Sequence, residues 1–150
     1  MLSILPQAQD GSKIPIDRVR EVTEAFHQVR AAQAAGYQLV SGLDYCFDNP
    51  GVGGMGYHYI NVALMDTVID PMKPEAMVYA PRPNGGLALG AVEYIVPAAA
   101  WDAGHANPPS LFGQVFGLDS SLGVYELHAW IWKNNPSGMF VEWNPKVSCH

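Results

Sequence analysis

The stretch Tyr125–Trp132, Y-E-L-H-A-W-I-W, constrains the fold more than any other part of the chain. In an extended strand, successive side chains point to opposite faces. Glu126, His128, Trp130 and Trp132 then share one side, while Tyr125, Leu127, Ala129 and Ile131 share the other. Neither side is polar enough to face water, which predicts a central strand buried on both faces. The segment Asn134-Asn135-Pro136-Ser137-Gly138 then reads as a turn. A carboxylate and an imidazole set between indoles are costly to bury unless they are paired or bound to an ion. Function is therefore expected on the Glu126/His128 face.

The same pattern occurs in two other segments. In Tyr57–Val62, His58 alternates in phase with Ile60 and Val62, with Tyr57, Tyr59 and Asn61 opposite. In Leu87–Val96, Glu93 lies in phase with Leu87, Leu89, Ala91 and Ile95. Three strands thus each place one ionisable residue on an apolar face. If those faces converge in a rolled sheet, His58, Glu93 and His128 form an open site for a divalent transition metal: zinc, copper or iron. Glu126 is the proton-transfer candidate should the protein be an enzyme, and a candidate fourth ligand. His105 could enter from the long segment Pro97–Ser121, which reads either as a lid or as a covered edge. The competing reading is a hydrogen-bonded His–Glu pair inside an ordinary core.

Other motifs carry less. Gly51, Gly53 and Gly56 spell G-x-G-x-x-G, but the loop runs into the strand pattern Y-H-Y-I-N-V and not into a helix. A dinucleotide site needs the helix, so these glycines are read as points of close backbone approach. No C-x-x-C-H and no G-x-S-x-G occurs. The isolated methionines read as core filler. Trp101, Trp130, Trp132 and Trp143, with Tyr57 and Tyr59, offer an aromatic face for a ligand, although aromatic residues at this density also build ordinary cores.

The N-terminal part predicts one helix between Pro15 and Gly36, with Val19, Val22, Phe26 and Val29 as its apolar stripe. His27 lies off the centre of that stripe and reads as a surface residue. Ala76–Ala80 and Leu87–Val96 read as a hairpin joined by P-R-P-N-G-G. The expected fold is α+β: an antiparallel sheet, curved or closed into a barrel-like shape, covered by the N-terminal helix. Residues 1–13 read as a flexible arm and 14–150 as one domain.

Composition excludes several classes. With 49% hydrophobic and 15% charged residues, the chain is not disordered. Fourteen acidic against eight basic residues give a net charge of −6, and no basic cluster interrupts it. The electrostatic attraction needed for nucleic acid or anionic lipid is missing. No apolar run is long enough to span a membrane. A small-molecule ligand and a homo-oligomer both stay open as partners.

Cys46 and Cys149 lack metal or redox spacing and are expected either as a disulfide or as two buried thiols. If bonded, they point to an extracytoplasmic protein. The segments G-M-G-Y-H-Y-I-N (54–61), V-E-Y-I-V (92–96), E-L-H-A-W-I-W-K-N-N-P-S-G-M-F (126–140) and W-N-P-K-V-S-C (143–149) resemble a group of small, apparently exported bacterial hypothetical proteins. The group has no assigned activity, so the resemblance favours export and the disulfide and implies no catalytic residue. Three functional readings follow: an exported metalloprotein, a non-catalytic module that binds through its aromatic face, or a metal-free His/Glu acid–base enzyme.

Overall fold

A computed structural model describes residues 15–150, and the expected arm at residues 1–13 lies outside the described residues. The strands are β1 (Phe47–Asn49), β2 (Gly53–Ile60), β3 (Ala76–Pro81), β4 (Leu87–Pro97), β5 (Ser110–Leu111), β6 (Gln114–Val115), β7 (Gly117–Asp119) and β8 (Val124–Ala129). Six of them form one antiparallel sheet, in the order β1-β2-β3-β4-β8-β7, curled into a half-barrel. β8 pairs at both edges and is covered on both faces. The fold is α+β, as expected.

Two layers cover the sheet. On one face lie α1 (Ile16–Thr23), α2 (Val29–Ala34) and α3 (Ala98–Asp102). Their cluster includes Val19, Ala32, Tyr37, Tyr79, Val92, Tyr94 and Leu127. On the other face lie Val40, Leu43 and the C-terminal segment, packed against Met55, Val78, Ala91 and Ile95. The Cys46–Cys149 disulfide ties that segment to the start of β1. Buried Asn144 continues the attachment, since its backbone exchanges two hydrogen bonds with Gly54.

Three local features depart from the sequence reading, each for a physical reason. The single N-terminal helix is two helices, joined by a 3₁₀ turn at Glu24–His27 and an extended Gln28. At the break the Phe26 carbonyl accepts a hydrogen bond from the Tyr79 hydroxyl at 2.7 Å; within α1, Val22 is exposed. In β4 the pairing skips Gly90: Tyr79 lies opposite Leu89, but Val78 lies opposite Ala91. This bulge moves Leu87 and Leu89 to the helix side and leaves Ala91, Glu93 and Ile95 on the other. Beyond Ala129 the chain leaves the sheet, so Trp132 packs on the helix side against His27, away from Trp130.

The segment expected as a long loop contains α3, the β5–β6 hairpin and β7, which covers the outer edge of β8. The G-x-G-x-x-G run forms the β1–β2 hairpin, so the dinucleotide motif is absent. At Gly56 φ is +104°, and an added Cβ would overlap the Tyr79 carbonyl. No helix among the described residues is long and apolar enough to cross a membrane.

Candidate metal centre

The pairing register places the three expected ligands on neighbouring rows. Glu93 on β4 lies directly opposite His128 on β8, and opposite Ala76 on β3. His58 on β2 lies opposite Val78, two residues along β3 from Ala76. In a flat sheet, β2 and β8 would stand about 14 Å apart, at roughly 4.8 Å per strand. Two imidazoles cannot span that gap. They meet here because this face is the inside of the curl, and because Ala76 and Val78 leave the space above β3 free.

His58 Nε2 and His128 Nε2 are 3.4 Å apart. His58 Nε2 lies 3.5 Å from Glu93 Oε1, and His128 Nε2 lies 3.3 Å from Glu93 Oε2. One ligand atom from each residue falls within 4.8 Å of the others, so the set could hold a metal ion. Relative exposure is 5% for His58, 3% for Glu93 and 1% for His128. The Phe47 ring packs against His58 with centroids 4.6 Å apart, and Tyr45 stacks on Phe47.

Burial sets the electrostatics. It lowers the His58 pKa to about 4, with a weaker opposing effect from the Gly56 backbone. It pushes His128 well below the ordinary value, and the neighbouring His58 adds to this. Burial likewise raises Glu93 far above the carboxylate range, and Glu126 is the next contributor. Without a cation, all three groups therefore favour neutral forms. Glu126 is itself raised to about 8, first by burial and then by its contact with Glu142. A row of carboxyl groups thus runs from Glu93 through Glu126 to Glu142.

The hydrogen-bond inventory discriminates further. Nδ1 of both His58 and His128 is buried without a partner among the described residues. With Nε2 protonated, each Nδ1 is an orphaned acceptor; with Nε2 binding an ion, each is an orphaned donor. That cost is similar in either state. The Nε2 distances differ from it in this respect. Contacts of 3.3–3.5 Å are long beside N–H···O bonds of about 2.7–3.2 Å. The 3.4 Å separation of the two nitrogens instead matches the edge of a tetrahedron with bonds of about 2.0–2.1 Å, which is roughly 3.3–3.4 Å.

The remaining expected site residues separate. Glu126 lines two cavities beside the trio, in keeping with its expected place near the site. His105 is exposed and stacked on Trp101, and it lines neither cavity. The four tryptophans do not form one face: Trp130 and Trp143 pack on the site side, Trp132 on the helix side and Trp101 against His105. Tyr57 and Tyr59 also turn to the helix side. Sequence reading missed Asp119, Glu142 and Phe47, which line the cavities beside the trio. None of the three sits in a pattern that marks a buried face. No protein-family model matches the chain, and no curated protein or solved structure is significantly similar to it.

Proposed function

We propose that the protein binds one divalent transition metal ion through His58 Nε2, His128 Nε2 and the Glu93 carboxylate, with a fourth position left for water or substrate. The observation that carries this reading is the mutual spacing of three buried donors from three strands, with the two imidazole nitrogens 3.4 Å apart. That edge favours a tetrahedral ion, zinc above all; cis positions of an octahedron with similar bonds would stand about 2.8–3.0 Å apart. Two nitrogens and one oxygen, with a place left open, is also the donor set of hydrolytic zinc centres. An ion here ionises Glu93 and compensates its burial. If the centre is catalytic, an ion there would supply Lewis acidity, and Glu126 is the residue placed to give or take a proton beside it.

The disulfide supports an extracytoplasmic location, where such bonds persist. The test is titration of metal-free protein with cobalt(II). Wild type is expected to develop the intense visible bands of a four-coordinate ion at one equivalent. Glu93→Gln and His128→Ala are expected to develop none. A metal-free acid–base enzyme would instead keep its activity through chelation, and it draws support from the neutral forms that burial favours.

A further inference from the structure

His58 and Glu93 line a cavity of about 330 Å³ whose walls include Leu43, Phe47, Met55, Ile60 and Ile95. A cavity of about 150 Å³ lined by aliphatic and aromatic side chains binds one benzene. The space here therefore suits a molecule of one or two rings. A second, more polar cleft of about 550 Å³ adjoins it and reaches His128. Asp119, Glu126 and Glu142 line both spaces, and no Lys or Arg lines either one. His58 adds an imidazole that is 5% exposed.

These observations separate ligands by charge as well as by size. An anionic head group would approach Asp119 and Glu142, with only the bound ion to attract it. Glu93 already offsets part of that ion's charge. An amine meets acids on the shared wall while its rings occupy the apolar part.

We propose that the centre takes a one- or two-ring apolar molecule carrying an amine or a neutral nitrogen group, and disfavours carboxylates and phosphates; this rests on the metal reading of the trio. The probes are tryptamine, indole and indole-3-acetate, which share a ring system and differ in charge. Each is titrated by calorimetry into the full-length cobalt(II)-loaded protein while the cobalt bands are followed. Tryptamine is expected to bind at least tenfold more tightly than indole-3-acetate and to shift the bands. Leu43→Trp should fill the cavity and abolish binding of all three probes with the bands of the unliganded cobalt protein intact. Glu142→Lys should bring the tryptamine to indole-3-acetate ratio towards one. Equal or tighter binding of indole-3-acetate, or no binding of tryptamine to the cobalt-loaded wild type, overturns the inference and leaves the metal reading standing. Failure of the protein to take up cobalt at all overturns both.

Discussion

The two faces of the sheet differ in how their buried ionisable side chains are satisfied. On the helix side, three tyrosines reach inward and each hydroxyl meets a backbone carbonyl: Tyr37 at Pro74, Tyr79 at Phe26 and Tyr94 at Pro71, all at 2.7–2.8 Å. Burial raises their pKa values, to about 12 for Tyr37, so they stay neutral donors. On the inner face, His58, Glu93 and His128 meet chiefly one another, at longer range, with two ring nitrogens unpartnered. One face is finished by its own chain. The other holds a trio that could bind a metal ion. Buried polarity that the chain satisfies needs no ligand; buried polarity left poorly satisfied calls for an explanation.

The largest expected effect comes from the covalent tie on the inner side. Replacing Cys46 and Cys149 together by serine should cost about 4–5 kcal/mol, the chain-entropy value for a loop of this size. Chemical denaturation measures it. Because the tie holds the segment carrying Glu142 and Trp143, metal affinity should fall as well; unchanged affinity would show that the inner face assembles without it.

His128→Ala removes a donor outright and should weaken zinc binding by more than about 100-fold, beyond what losing a supporting hydrogen bond typically costs. A competition titration against a chromophoric chelator reads this directly. Helix-side variants should leave the same affinity untouched, which sharpens the contrast between the faces.

Glu75 tests the contrast through pH. Its carboxylate accepts the Ile95 N–H at 2.9 Å, yet burial raises its pKa from 4.5 to about 7. A folded pKa above the unfolded one means the folded state holds the proton more tightly. The stabilisation is complete below pH 4.5 and is lost as pH rises through about 7. His58 has the opposite sign: with its pKa lowered from 6.5 to about 4, its stabilisation is present above pH 6.5 and lost as pH falls through about 4. In metal-free protein, Glu75→Gln should raise stability near pH 7 by about 2–3 kcal/mol relative to pH 4.5, with the slope attributed to His58 preserved. Denaturation midpoints across that range check it. An unchanged profile would remove Glu75 from the account.

The smallest effect is Tyr94→Phe, which strands the Pro71 carbonyl and should cost about 1–2 kcal/mol. Zinc affinity should stay the same. A loss of affinity here would mean that the two faces are coupled through β4.

Much of the inner face was legible in the sequence because strand alternation is local. His58, Glu93 and His128 each stood out as an ionisable residue in an apolar phase, and their convergence required only that the sheet curl. What local alternation cannot carry is a change of phase. The bulge at Gly90 reversed Leu87 and Leu89, and the exit of the chain after Ala129 reversed Trp132. At the helix break by Gln28 the Phe26 carbonyl accepts from Tyr79, distant in sequence, and no nearby residue announces that contact. Asp119 and Glu142 reach the cavities from a short edge strand and from an irregular segment, where periodicity has nothing to report. The disulfide was legible only as one of two alternatives, since spacing cannot distinguish a bonded pair of distant cysteines from two thiols.

The most direct test is X-ray absorption at the zinc edge on reconstituted wild-type protein, paired with elemental analysis. One zinc per chain is expected, in a four-coordinate shell of two imidazole nitrogens and two oxygens, lost in Glu93→Gln. Zinc bound well below one equivalent, or a shell without two imidazoles, would contradict it.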